Sequence, residues 1–116
     1  MDSLGSGSSF SVTCALSYAI QNKASLINMS FGYYGRSHRI LREYIAKASR
    51  DSIAMICAAG NADGERTDLC ATGPNTANQL NAGRLFYPGC YSAEFPANLV
   101  TVAGLNQSRI PCYYQN

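Results

Sequence analysis

The usual marks of a zinc protein are missing from this chain. It has one histidine, His38, and its five cysteines (Cys14, Cys57, Cys70, Cys90 and Cys112) include no Cys-x-x-Cys pair, so a zinc site built on that spacing is excluded. No apolar run approaches the roughly 20 residues that span a bilayer, so no transmembrane helix is expected. The first ten residues, MDSLGSGSSF, lack the basic and apolar blocks of a signal peptide, and the chain as written carries no address. Charge is also scarce. Charged residues make up 14% of the chain, and the net charge of +2 is spread over interspersed acids and bases, which calls for neither nucleic acid nor an anionic membrane as a partner. Apolar residues, by contrast, are plentiful: at 47% of 116 residues they suffice for one packed domain, and disorder is not expected.

The stretch that organises the rest is Met55 to Asn61, MICAAGN. It offers no charge to solvent and stops at Gly60 and Asn61, so it reads as a strand buried on both faces, within a parallel sheet covered by helices. Ligands of open α/β sheets sit beyond the carboxyl ends of the strands, which makes the Asn61 amide the first site candidate. The competing reading is a Gly-Asn turn, with Asn chosen because it tolerates left-handed φ.

Taken in order, Asp2 to Ser9 is a Gly/Ser loop in which Ser8 or Ser9 can cap a following helix. Val12, Ala15, Leu16, Ala19 and Ile20 recur at helical spacing and predict a helix from about Ser9 to Asn22. Ser25 to Ser30 is short, apolar and closed by Phe31-Gly32, hence a strand. Ile40, Leu41, Tyr44, Ile45 and Ala48 repeat the helical stripe across Arg36 to Arg50, with Arg39, Arg42, Glu43, Lys47 and Arg50 on a solvated face. Ser52 to Ala59 is the central strand, Ala62 to Ala97 a long polar stretch, and Leu99 to Leu105 a last strand. Strand, helix, strand at this repeat length requires crossover connections and parallel pairing. Ser30-Phe31-Gly32 and Ala58-Ala59-Gly60-Asn61 should then end on one edge of the sheet, where function is expected. Cys14 and Cys57 fall on positions read as core, and a disulfide between Cys70 and Cys90 is one reading of the long loop they bracket. Both ends of the chain read as open. A sheet of three strands left with uncovered edges and faces should make the isolated chain marginal, self-associating or swapped.

Three blocks then carry a resemblance: AIQNKASLINMSFG (Ala19 to Gly32), AAGN (Ala58 to Asn61) and YPGCYSAEFPANLVTVAG (Tyr87 to Gly104). In order and approximate spacing they resemble the middle of a subtilisin-like serine protease catalytic domain, across essentially the whole chain. The resemblance implies an α/β fold of three layers, with a mostly parallel sheet flanked by helices, incomplete over residues 1–116. It implies a peptide or protein substrate and the rest of the peptidase domain as partners. By it, Asn61 supplies the oxyanion-hole amide, Ser30, Phe31 and Gly32 pair with substrate backbone, and Gly5, Ser6 and Gly7 form the opposite wall of the cleft. Ala58, Ala59 and Gly60 would wall the pocket for the residue preceding the scissile bond, and their small size suggests room for a large apolar side chain. Tyr87-Pro88 resembles the family's Tyr-Pro turn, often cis, near which backbone carbonyls bind a cation in some members. Calcium as a structural ion follows from that; no cofactor is required for the chemistry. Asp63, Glu65 and Asp68 match no calcium loop. If the complete protein follows the family, it is secreted or held in the cell envelope.

The departures matter as much. The chemistry needs an Asp that orients a His, that His as general base, and a Ser nucleophile, and the family motifs for all three are missing. His38 lacks the expected context, and Cys14 with His38 makes no thiol dyad, because Cys14 reads as core. The isolated chain is therefore not expected to cleave peptides. Besides a segment of an active endopeptidase, a non-catalytic peptide-binding or complementing fragment is carried as the alternative. A nucleotide-binding loop at GSGSSF is weaker, since Phe10 replaces the third glycine and no strand precedes it.

Overall fold

A computed structural model describes residues 6–60 and 85–104. The first helix, α1, spans Ser9–Gln21, and Ser8 caps it: its side-chain oxygen accepts from the Ser11 amide at 3.1 Å. Strand β1 is Leu26–Met29 and β2 is Tyr33–Gly35; α2 is Arg39–Arg50, β3 is Ala54–Ala58 and β4 is Leu85–Tyr87. A short 3-10 helix, Gly89–Ala93, leads to β5, Leu99–Val102. Both long helices end without glycine in the same hydrogen-bonded pattern. After α1, the Lys23 amide donates to Ile20 and that of Ala24 to Ala19; after α2, Ser52 donates to Ser49 and Ile53 to Ala48. These are Schellman caps, and they place Lys23 at φ 54° and Ser52 at φ 59°.

The main sheet is three-stranded in the order β1-β3-β5. Both pairings are parallel: Met29 lies opposite Cys57, and Met55 opposite Leu99. The α/β architecture is thus as expected, with α2 in the crossover between β1 and β3, and β1 and β3 end side by side. Leu16 and Ile20 of α1 and Leu41, Ile45 and Ala48 of α2 join Met29, Met55, Cys57 and Leu99 in one buried cluster.

Burial along the strands nevertheless differs from the expectation that β3 is covered on both sides. Met55 and Cys57 are buried while Ala54 is exposed and Ile56 partly so, so among the described residues the helices cover one face. On the other, Leu26, Val100 and Val102 are 53%, 58% and 54% exposed. Cys14 is exposed rather than part of the core. It lies two residues before buried Leu16, about 200° around the helix. Ile40 is likewise exposed, being one residue off the Leu41-Ile45-Ala48 stripe.

A second, two-stranded antiparallel sheet pairs β2 with β4, with Tyr33 opposite Tyr87 and Tyr34 opposite Phe86. Neither strand is expected from the sequence. β2 takes residues just ahead of the predicted second helix, which therefore starts at Arg39 rather than Arg36, and β4 falls inside the stretch read as polar loop. The ribbon is bound by its rings: Tyr34 and Phe86 centroids are 4.9 Å apart and Tyr87 and Tyr91 4.8 Å. The Tyr87-Pro88 bond is cis.

Candidate substrate cleft

A cavity of about 660 Å³ lies between the entry to α1 and the segment that follows β1. One side is Ser6, Gly7, Ser8, Ser9, Ser11, Val12 and Ala15. The other is Phe31, Gly32 and Tyr33, closed by His38, Leu41 and Pro88. The Ser8 cap fixes where the loop turns into helix, and the end of β1 delivers Phe31 and Gly32. Ser6 and Gly7 therefore face Phe31 and Gly32 across one space. Ser30 is not in this lining; it is exposed and its hydroxyl donates to the Asn28 side-chain oxygen at 3.1 Å.

His38 and Leu41 reach the cavity because α2 begins there, and a buried tyrosine holds that start in place. The Tyr91 hydroxyl lies 2.9 Å from Ser37 Oγ, accepts from the His38 amide at 3.2 Å and donates to the His38 carbonyl at 3.3 Å. The imidazole itself is unsupported: its Nδ1 is buried with no hydrogen-bond partner among the described residues. A catalytic imidazole needs an orienting acceptor at that nitrogen, and no described residue supplies one; in this cavity His38 forms part of the wall.

The second wall, Ala58, Ala59 and Gly60, continues β3 at the same sheet edge. All three are half-buried, and the Ala59 amide donates to the Val102 carbonyl at 3.0 Å. The space beside Gly60 is not open, contrary to the expectation of room for a large side chain. A Cβ on Gly60 would meet Phe86 Cγ at 2.7 Å and the Tyr34 hydroxyl at 2.8 Å, and one on Gly32 would also run into the Phe86 ring. Phe86 and Tyr34 are missed by sequence reasoning, although the aromatic runs Tyr33-Tyr34 and Phe86-Tyr87 are strand-forming signals. Gly5 and Asn61 lie outside the described residues, as do Asp63, Glu65, Asp68 and Cys70.

Neither Cys57 nor Cys90 is an activated nucleophile. Burial pushes the Cys57 thiol up to about 12, and burial also raises Cys90, partly offset by a hydrogen bond with the Phe86 backbone. Around the Tyr-Pro turn, the Pro88 carbonyl accepts from Tyr91 and the Gly89 carbonyl from Thr101 Oγ1 at 2.7 Å. No cluster of three His, Cys, Asp or Glu side chains occurs among the described residues. These groups do not by themselves make the six to eight oxygens of a calcium shell.

Residues 1–115 match the subtilase family. The chain belongs to that family. Among solved structures, this subtilase chain is similar to the prenylagaramide maturation protease PagA, with a TM-score of 0.65 and 18% identity over 96% of its residues. At that identity the likeness speaks to the fold, and the chain spans 33% of the length of PagA. No curated protein matches the subtilase chain. No helix among its described residues is long and apolar enough to cross a membrane.

Proposed function

We propose that this subtilase chain forms the substrate-binding part of a serine endopeptidase domain and carries its oxyanion donor. The observation that supports the reading is the cavity whose two sides are Ser6-Gly7 and Phe31-Gly32. An extended peptide lying between them would add as a strand beside Ser30 to Gly32, with main-chain hydrogen bonds giving affinity and alternate side chains entering pockets. The cavity lining, mostly apolar around Val12, Phe31, Leu41 and Pro88, suits an apolar side chain of that peptide.

Asn61 comes three positions after the end of β3, and the role of its side-chain amide is to donate to the carbonyl oxygen as negative charge develops there. Removing one such donor costs roughly 3 to 4 kcal/mol of transition-state stabilisation, a magnitude known from subtilisin itself rather than deduced from this chain. The serine that attacks the carbonyl, the histidine that takes its proton and the aspartate that orients the histidine would come from residues outside this sequence. The chain alone binds and polarises but does not cleave. The open sheet face at Leu26, Val100 and Val102 would be covered by the rest of the peptidase domain, or by a second copy when that is missing.

Titration of the chain with an extended, uncharged peptide, followed by amide chemical shifts, tests this reading. Shifts should concentrate at Ser6, Gly7, Phe31 and Gly32. If they map instead to β5 and the open face of the sheet, or do not saturate, the cleft is wrongly placed.

A further inference from the structure

We infer that Phe86 is a built-in plug that limits the pocket beside Gly60 to small substrate side chains, glycine, alanine or serine. The inference rests on the peptidase reading, which makes Ser30 to Gly32 and Ala58 to Gly60 the walls around the residue preceding the scissile bond. Those walls end adjacent parallel strands, since Met29 is paired with Cys57 one step earlier. Both carry a glycine, which on sequence alone leaves a gap between them. The gap is filled from a third direction by Phe86.

The ring touches both walls. The site of a Cβ on Gly60 is 2.7 Å from Phe86 Cγ, and a Cβ on Gly32 would collide with the ring edge and with the Tyr87 carbonyl. Gly60 also has φ +90°, a conformation that side-chain-bearing residues rarely adopt, so this wall stays bare by backbone geometry as well. Nor is the ring loosely placed. It is 8% exposed, its strand neighbour across the ribbon is Tyr34 with centroids 4.9 Å apart, and the next three residues, Tyr87, Pro88 and Gly89, are buried. A bulky substrate side chain could enter only by expelling a packed aromatic ring, whereas a methyl or hydroxymethyl needs no such movement. Packed interiors tolerate added volume poorly, so the plug acts as a size filter.

The test compares the native chain with Phe86→Ala and, should that variant fold poorly by circular dichroism, with Phe86→Leu. One readout needs no catalysis: binding of indole to the full chain, followed by shifts at Tyr34 and Gly60, because an emptied apolar cavity takes up a small aromatic. At Tyr34 and Gly60 the native chain should show no saturable shifts, whatever indole enters the separate cavity beside Phe31 and Leu41, and Phe86→Ala should gain affinity there by roughly tenfold or more, with Phe86→Leu between them. The second readout is cleavage of a peptide library, varied at the residue before the scissile bond, by the peptidase domain containing this chain. Native cleavage should favour Gly, Ala or Ser, and Phe86→Ala should move the preference towards Leu and Phe by roughly tenfold or more. Equal indole-induced shifts at Tyr34 and Gly60 in native and variant chains, or native cleavage after Phe or Tyr, overturns the plug. A library cut by neither protein, with the indole gain intact, overturns the peptidase reading while the plug stands.

Discussion

The two faces of the central sheet are built from similar residues and meet different fates. On one face Met29, Met55, Cys57 and Leu99 are at most 2% exposed beneath α1 and α2; on the other, Leu26, Val100 and Val102 are more than half exposed. Strands apolar on both sides belong to sheets covered on both sides. The difference therefore separates what this chain stabilises by itself from what it offers to a cover. The cavity between Ser6-Gly7 and Phe31-Gly32 lies on the covered side, lined by Val12 and Ala15 of α1 and Leu41 of α2.

Mutating matched residues on the two faces should break the symmetry of composition. Met55→Ala removes a side chain that is 1% exposed and should cost about 2–5 kcal/mol, whereas Val100→Ala should cost below about 1 kcal/mol in the isolated chain, both read by denaturant unfolding. Equal losses would mean that the open face is already covered. The same face should drive association. The chain is expected to self-associate with rising concentration in sedimentation velocity, and Val100→Lys should shift it towards monomer; a native chain that stays monomeric throughout would remove the argument.

Titration sharpens the comparison from the covered side. Because burial raises the Cys57 thiol from 9.0 to about 12, the folded state holds its proton where the unfolded chain releases it. The contribution is intact below about pH 9 and is lost progressively as the pH rises towards 12. Unfolding free energy should fall over that window, and Cys57→Ala should flatten the fall. Across the neutral range, exposed Cys14 should react with a maleimide while Cys57 does not. The smallest effect concerns the helix ends rather than the faces. Ser52, at φ 59°, carries a side chain in the conformation glycine prefers, so Ser52→Gly should stabilise the chain by about 0.5–1 kcal/mol, measured as a raised unfolding midpoint.

Much of this arrangement was legible in the residues. MICAA announced the central strand because five consecutive uncharged residues have few other places to go, and Leu16-Ile20 and Leu41-Ile45-Ala48 announced the helix faces because 3.6-residue spacing repeats locally. The shared edge of β1 and β3 followed from connection length. Long-range pairing was not legible. β2 and β4 are three residues each, some fifty positions apart, too short for any period to show, and nothing local says that Phe86 folds back between Gly32 and Gly60. Cys14 was misplaced by reading apolar character without its angle on the helix. Asn61 lies outside the described residues, and its role rests on its place after a strand together with the family resemblance.

The most direct measurement of the central claim is steady-state kinetics of Asn61→Ala in the peptidase domain that contains this chain, against a peptide with alanine before the scissile bond. If the chain supplies the oxyanion donor beside a preformed cleft, kcat should fall by roughly 100- to 1000-fold with KM nearly unchanged. An unchanged kcat, or a loss carried by KM alone, would contradict the account.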